Sequence, residues 1–197
     1  MSKIILSSCD FRNEQSAEFI YKNLPVPAAE CRVLYFPNEK ATEASINSTF
    51  YYKRLEEFGF QKNNVYVFNY FNPAEFDIQN DIDVIYISGG NTFGTLKIIR
   101  EVGAEKIILD YINRGTMYIG GSAGAHIASR SIAHVSKYDT DTYGIQDFSG
   151  LKLFDGILIC HYSEDRKSDY EELLVAGENN VVALRDQDYM MIEKGNL

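Results

Sequence analysis

The stretch MYIGGSAGAHIA, residues 117–128, runs from an apolar segment into five small residues in a row, with Ser122 at their centre. Residues 116–120 have the composition of a buried strand, and residues 123–130 have the spacing of a helix. The turn between them has the G-x-S-x-G spacing of a nucleophile elbow, in which the serine side chain stands out from the sheet edge and only small neighbours avoid a clash. A helix start that binds an anion, with Ser122 as its N-cap, fits the same residues.

Apolar runs alternate with helical patterns along the rest of the chain, which is typical of strand–helix–strand units around a mostly parallel sheet. The predicted strands cover residues 3–8, 32–37, 64–69, 83–88, 116–120 and 156–161. Apolar residues spaced by three and four predict helices within 13–24, 44–60, 93–115, 123–130 and 169–177. We therefore predict an α/β fold with a doubly wound, mostly parallel sheet flanked by helices, in a single domain of residues 1–197.

Two further segments are less regular. Residues 133–150 are rich in Asp, Thr, Ser and Gly and fit neither period. They are predicted to form a long loop, and loops of that length inside a compact domain often carry function. Residues 180–186 and 189–195 are predicted either to pair as a short hairpin or to extend the sheet.

Charge and cysteine content narrow the function classes. The sequence has 28 acidic and 19 basic residues, a net charge of −9 and no basic run longer than a pair. We therefore expect no nucleic-acid or membrane partner and predict a small-molecule or peptide substrate. The three cysteines lack CxxC spacing, which argues against a disulfide framework and a structural zinc site. No apolar run reaches the roughly 20 residues of a membrane span, and the first is too short for a secretory signal, so we expect a cytoplasmic protein.

A second glycine turn, SGGNTFGTL at residues 88–96, also follows a strand and opens a helix. The carboxyl ends of parallel strands meet at one edge of an open α/β sheet, so we expect both turns to face one crevice. The backbone N–H groups of Gly90 and Ala123 would then be the two donors of an oxyanion hole. The alternative is a simple turn in which Asn91 or Thr92 caps the helix.

A serine nucleophile needs a base, and the sequence has three histidines. His126 lies one turn into the helix after the serine, so we predict a structural role for it. His134 falls in the polar loop, where it would be solvated. His161 ends the apolar run GILIC, where a strand delivers a side chain to the sheet edge, and it is the predicted base. Its neighbour Cys160 is a rival nucleophile, but adjacent strand residues face opposite sides of the sheet.

Three motifs resemble one known family: GGNTF (89–93), GGSAGA (120–125) and CHYSEDR (160–166). In this order and spacing they are similar to peptidase E, the aspartyl dipeptidase family, and its cyanophycinase relatives. The resemblance implies the class I glutamine amidotransferase-like fold, with serine in place of cysteine as the nucleophile. It also implies a serine-type peptidase that hydrolyses short peptides, chiefly dipeptides with an N-terminal aspartate, and that requires no metal or other cofactor.

The resemblance assigns catalytic roles residue by residue. It makes Ser122 the nucleophile and His161 the base, with Gly90 and Ala123 as the oxyanion donors. An acid that orients the imidazole must reach its second ring nitrogen. Four aspartates fit that place, first Asp186 and Asp139, then their neighbours Asp188 and Asp141.

Substrate contacts are also predicted. The resemblance implies that Arg166 holds the aspartyl carboxylate with its guanidinium fork, and Asn91 is a further predicted substrate contact. Alternatively, Arg166 pairs locally with Glu164, Asp165 or Asp169. The segment before Arg166 is shorter than its counterpart in peptidase E, so we expect a differently shaped substrate loop.

Alternatives to an aspartyl dipeptidase stay open. An esterase, an amidase or an isoaspartyl-type peptidase would use the same machinery on another substrate. A binding or regulatory domain would keep the fold without turnover. A glutamine amidotransferase or redox-sensing relative would need cysteine at the elbow, where this chain has Ser122.

Aromatic side chains are concentrated in residues 49–60 and 66–76. They would either join the core or leave an exposed patch for a homodimer, since homo-oligomers are common among such folds.

Overall fold

The computed structural model describes residues 1–194, and a six-stranded sheet lies at its centre. The described residues form eight strands: β1 (Ser2–Ser7), β2 (Val33–Phe36), β3 (Val65–Val67), β4 (Val84–Ile87), β5 (Met117–Gly121), β6 (Ile157–Ile159), β7 (Val181–Ala183) and β8 (Tyr189–Lys194). The central sheet has the order β3-β2-β4-β5-β1-β8. Its neighbouring strands are parallel except β8, which runs antiparallel to β1. The predicted α/β fold with a mostly parallel sheet is confirmed.

Seven α-helices connect and flank the strands of the described chain: α1 (Glu14–Asn23), α2 (Glu43–Ile46), α3 (Phe50–Glu57), α4 (Thr92–Glu101), α5 (Ala104–Asn113), α6 (Ala123–Ala128) and α7 (Lys167–Val175). Two predicted helices are each divided in two. Asn47 ends α2, so 44–60 contains two helices. Gly103, with φ of +73°, separates α4 from α5 within 93–115. Within residues 1–194, no helix combines the length and the apolar character needed to cross a bilayer.

The strands are nearly continuous apolar runs because both faces of the sheet are covered. Every residue of β2, β4 and β5 is buried. The aromatic segments 49–60 and 66–76 add Tyr51, Phe60, Phe68 and Tyr70 to this core. Phe50 and Phe71 from the same segments are 57% and 52% exposed. These segments therefore belong mainly to the core.

The strands β7 and β8 do not pair as a hairpin. Strand β7 pairs with β6 in a separate two-stranded parallel sheet, whereas β8 extends the central sheet at the edge of β1. A tight turn redirects the chain between them, because the carboxylate of Asp188 accepts a hydrogen bond from the Arg185 N–H at 2.8 Å. The predicted strand at 156–161 is shorter than expected and lies in the small sheet. Gly195, which ends the predicted segment 189–195, lies outside the described residues.

Residues 133–150 form the long loop that the sequence predicts, with a 3₁₀ turn at Ala133–Lys137. The loop is fastened to α4, because the side chains of Lys97 and Arg100 donate hydrogen bonds to its backbone carbonyl groups. The polar loop thus packs beside the glycine turn that opens α4.

Candidate active site

Ser122 occupies the turn between β5 and α6, at the carboxyl edge of the sheet. Its φ of +50° and ψ of −108° lie in a region that non-glycine residues rarely adopt. Ser122 is the N-cap residue of α6, but its hydroxyl makes no capping hydrogen bond to the helix. The backbone has the strained strand-to-helix geometry of a nucleophile elbow.

The small residues around Ser122 are required by close packing of the backbone. A Cβ on Gly124 would lie 2.0 Å from a carbonyl oxygen of β4, and a Cβ on Gly120 would lie 2.7 Å from the carbonyl oxygen of Gly124. A Cβ on Gly121 would lie 2.1 Å from a carboxylate oxygen of Asp10. Glycine is therefore needed on both sides of the serine for α6 to approach the sheet.

The structure brings three of the predicted residues into one hydrogen-bonded series. Ser122 Oγ lies 2.9 Å from His161 Nε2, and His161 Nδ1 lies 2.6 Å from Asp186 Oδ1. His161 follows β6 with a φ of +53°, and its N–H donates to Ser8 Oγ at 3.0 Å. Asp186 lies on the turn between β7 and β8. The small β6–β7 sheet therefore carries both the base and its acid to the elbow.

The hydrogen bond to His161 favours the ionised form of Asp186. That bond holds the pKa of Asp186 below its usual value, although the carboxylate is 65% exposed. An ionised Asp186 accepts the Nδ1–H of His161, which leaves Nε2 to accept a proton from the serine. The thiol of Cys9 adjoins this pair, and the ligand atoms of Cys9, His161 and Asp186 all lie within 4.8 Å of one another. A metal ion held there would occupy the histidine that the serine needs.

The other predicted acids have different partners. Asp139 accepts the N–H of Thr92 at 2.7 Å, at the start of α4. Asp141 accepts backbone N–H groups within its own loop, and Asp188 closes the turn before β8. Among the four aspartates, the described structure places only Asp186 against the imidazole.

The second glycine turn lies beside the elbow. A Cβ on Gly89 would be 3.3 Å from Ser122 Cβ, so the two turns are in contact. A Cβ on Gly90 would be 2.5 Å from Asn38 Cβ and 2.6 Å from Glu39 Oε2, which requires glycine there. Ala123 begins α6 and is buried. The predicted oxyanion donors thus belong to the two backbone segments that meet at the serine.

Asn91 caps α4. Its side-chain oxygen accepts the Gly94 N–H at 3.0 Å, and its amide nitrogen donates to the Thr140 carbonyl at 3.0 Å. The capping role considered from the sequence is therefore present. A substrate contact by Asn91 stays a prediction.

Comparison with known proteins decides the family. The sequence model of peptidase family S51 matches residues 4–197. The chain belongs to peptidase family S51. An uncharacterized peptidase of Listeria monocytogenes is 32% identical over 115 residues, which is 56% of this chain and 56% of the relative. Peptidase E of Escherichia coli is 33% identical over 124 residues, which is 58% of this chain and 53% of the relative. The S51 chain thus spans about half the length of the curated relatives it matches.

Two solved structures share the fold of this S51 chain. The crystal structure of a candidate peptidase E protein from Listeria monocytogenes superimposes with a TM-score of 0.70 at 25% identity, covering 98% of this chain and 94% of that one. A peptidase from an acI-B1 actinobacterium superimposes with a TM-score of 0.59 at 15% identity, covering 100% and 85%. The predicted resemblance to the peptidase E family is confirmed.

Arg166 of the S51 chain is partly buried and is held by contacts with two other residues of the protein. Its guanidinium donates to the carbonyl oxygen of Cys160 and lies over the ring of Tyr138, 4.0 Å from the ring centroid. These contacts differ from the local ion pairs considered from the sequence. They occupy the face and one edge of the guanidinium, and a substrate contact by Arg166 stays a prediction.

The remaining nucleophile and base candidates are buried. His126 Nε2 accepts the Cys160 N–H at 3.2 Å, and burial lowers its pKa well below the usual value. His134 is buried instead of solvated, which corrects the prediction, because its Nε2 donates to the Leu158 carbonyl at 2.8 Å. Burial raises the pKa of the Cys160 thiol to about 12, so it carries almost no thiolate at neutral pH.

A second charged pair, not predicted from the sequence, lies at the site. Asp10 is completely buried with a φ of +48°, and it accepts hydrogen bonds from Tyr86 Oη at 2.9 Å and from Arg12 Nε at 3.0 Å. The pair directly follows β1, the neighbour of β5, so its place at the same sheet edge was available from the topology.

Proposed function

We propose that this S51 chain is a serine peptidase that hydrolyses short peptides, principally dipeptides with an N-terminal aspartate. The observation that carries the proposal is the unbroken series from Ser122 through His161 to Asp186, with distances of 2.9 and 2.6 Å. The same series performs acyl transfer on several unrelated folds. The names of the curated relatives support peptide hydrolysis, and the resemblance to peptidase E supports the aspartyl preference.

In the proposed reaction, Ser122 Oγ attacks the peptide carbonyl as His161 Nε2 takes the serine proton. Asp186 keeps the imidazole in the tautomer that can accept this proton and stabilises the imidazolium. His161 then gives the proton to the leaving amine. Water attacks the acyl-enzyme by the same route and releases the acid. The N–H groups of Gly90 and Ala123 are the proposed donors to the oxyanion, and these steps use no metal or organic cofactor.

The test is release of free amino acid from Asp-Leu, β-Asp-Leu, Glu-Leu and Ala-Leu, compared between the wild-type protein and Ser122→Ala. We expect turnover of Asp-Leu, and a loss of at least about 10⁴-fold in kcat on removal of the hydroxyl. Ser168→Ala is the matched control, because Ser168 is an exposed serine at the start of α7.

The panel separates the alternatives. Turnover of β-Asp-Leu alone would establish the isoaspartyl-type peptidase. Turnover that persists in Ser122→Ala would remove the serine mechanism. A wild-type protein that is folded and hydrolyses none of the four dipeptides contradicts the proposed dipeptidase.

A further inference from the structure

An arginine outside the triad lies directly beside the nucleophile. A Cβ built on Gly89 would lie 3.1 Å from Arg12 Nη2, 3.6 Å from Arg12 Nη1 and 3.3 Å from Ser122 Cβ. The guanidinium and the serine therefore border the same space above Gly89. The Arg12 side chain is 41% exposed, so an incoming substrate can reach it.

Asp10 orients Arg12 without using all of its donors. Arg12 Nε donates to Asp10 Oδ1 at 3.0 Å, and Nη2 makes a longer bond of 3.4 Å to Asp10 Oδ2. Within residues 1–194, Nη1 has no hydrogen-bond partner. Asp10 is anchored in turn by the hydroxyl of Tyr86. The result is a guanidinium in a fixed position with one edge available for a ligand.

A cavity of about 360 Å³ adjoins the same turn. One wall is Asn38, whose Nδ2 donates to the Gly89 carbonyl at 3.1 Å. Lys40 and Arg54 also line the cavity, together with the half-exposed ring of Phe50. Asn38 thus belongs to the wall of the cavity and contacts Gly89, which in turn lies beside Ser122.

The positive charge of this cavity is not compensated by carboxylates. Neither Lys40 nor Arg54 forms an ion pair in the part of the chain that the structure describes, although the protein has a net charge of −9. Glu39, next to Lys40 in the chain, has its carboxylate turned to the start of α4, where it accepts the Asn91 N–H at 2.9 Å. Cations that line a cavity without a carboxylate partner are the chemistry that recognises an anionic group.

We propose that Arg12 and the cavity lined by Lys40 and Arg54 form a carboxylate-binding subsite, which holds an acidic group of the peptide while its scissile carbonyl lies at Ser122. The subsite rests on the proposed peptidase function. The carboxylate comes either from the side chain of the N-terminal residue or from the C-terminus of the peptide. The two sources share one chemistry, and the substrates below distinguish them.

The first experiment compares kcat/KM for Asp-Leu, Asn-Leu and Asp-Leu amide in wild-type protein and in Arg54→Gln. We expect Arg54→Gln to reduce the preference for the carboxylate at least tenfold, mainly through KM. A reduced ratio of Asp-Leu to Asn-Leu identifies the side-chain carboxylate. A reduced ratio of Asp-Leu to its amide identifies the C-terminal one. Lys53→Gln is the matched control, because Lys53 is an exposed neighbour on α3 that does not line the cavity.

Arg12 is tested with Arg12→Lys, which keeps a positive charge for the buried Asp10 but removes the guanidinium fork. We expect the same loss of carboxylate preference and a retained thermal unfolding midpoint. Unchanged ratios in both Arg54→Gln and Arg12→Lys overturn the subsite, as does an equal fall in kcat/KM for all three substrates.

A binding measurement separates failure of the subsite from failure of the peptidase. Calorimetric titration of Asp-Leu, Asn-Leu and Asp-Leu amide into Ser122→Ala reads recognition without turnover. We expect Asp-Leu to bind at least tenfold more tightly than one of its neutral analogues, and Arg54→Gln to abolish that difference. Binding with this selectivity but no hydrolysis by wild-type protein would defeat the peptidase and retain the subsite. Equal binding of the three ligands would defeat the subsite alone.

Discussion

The two glycine turns that meet at the site look alike in sequence but are held in different ways. The turn at 120–124 is fixed by its backbone, because added Cβ atoms on Gly120 and Gly124 would run into carbonyl oxygens at 2.7 and 2.0 Å. The turn at 88–91 is fixed by side chains, since Asn38 and Glu39 fill the space beside Gly90. At the first turn an added methyl group would meet the backbone of the central sheet, whereas at the second it would meet Asn38 Cβ, which moves only with its own loop, and the flexible end of Glu39.

This difference suggests different roles for the two turns. The first turn holds Ser122 in a strained conformation against His161, where the proposed nucleophilic attack would need the same geometry on every turnover. The second turn contacts Asn38, which lines the cavity together with Lys40 and Arg54. The proposed attack by Ser122 is thus expected to depend on the first turn, whereas the second turn contributes the proposed Gly90 donor and borders the proposed substrate subsite.

The largest expected effect is the loss of kcat when the aspartate beside each turn is replaced by asparagine. Asp186 orients His161 for the serine turn, whereas Asp139 accepts the Thr92 N–H beside the other turn. We expect Asp186→Asn to lower kcat by about 10⁴-fold, because an amide favours the wrong imidazole tautomer. Asp139→Asn should lower it by no more than about tenfold, since it loses one charge-assisted hydrogen bond. Steady-state kinetics on Asp-Leu measures both, and equal losses would contradict the assignment of the acid.

A smaller effect is expected when each turn receives one methyl group. In Gly124→Ala the added Cβ meets the backbone of β4, which cannot move without the sheet, so we expect a loss of about 3 kcal/mol in the free energy of unfolding. In Gly90→Ala it meets Asn38 Cβ and the carboxylate of Glu39, which lie in a loop that can move more easily than the sheet, so the loss should be smaller, about 2 kcal/mol. Urea unfolding followed by circular dichroism measures the two variants side by side. The comparison fails if Gly90→Ala is the more destabilising substitution.

Much of the architecture was predictable from local patterns. Buried strands are continuous apolar runs, so β1 to β5 and the position of the serine turn follow from the sequence alone. The division of 93–115 into two helices could also have been predicted at Gly103. Glycine readily adopts the left-handed conformation that ends a helix, and Gly103 adopts it after α4. Ser122 and His161 were predictable because each ends or follows a strand at one sheet edge.

The residue proposed as the acid and the residues proposed to contact substrate were not predictable in the same way. Asp186 and Asp139 both lie in irregular segments, and which of them reaches the imidazole depends on how β7 pairs with β6. Arg166 packs over the ring of Tyr138. The two residues lie in different segments, and no sequence pattern predicts their contact. Arg12 follows β1 at the same edge as Ser122, but its approach to Gly89 depends on the buried position of Asp10.

The smallest expected effect is on the pH dependence of stability and concerns His126, which links the helix after the serine turn to the helix after the second turn. It lies in α6, and its Nδ1 is 3.4 Å from Thr92 Oγ1 in α4. Burial lowers the pKa of His126 well below the usual value, so the histidine is neutral in the folded protein. Because the unfolded chain binds the proton more readily, this contribution to stability is complete above about pH 6.5 and is lost as the pH falls toward the folded pKa.

We therefore expect His126→Gln to flatten the acid dependence of the free energy of unfolding by at most about 1.4 kcal/mol per pH unit, measured by urea unfolding between pH 7.5 and 5.5. His134, whose pKa burial also lowers, keeps part of the slope in the variant. Asp186 acts only at lower pH, because its hydrogen bond to His161 lowers its pKa below the ordinary carboxyl value. An unchanged slope would mean that His126 binds its proton as readily in the folded protein as in the unfolded chain. The packing between α6 and α4 would then accommodate a protonated imidazole. The serine turn would in that case be less rigid than its backbone contacts indicate.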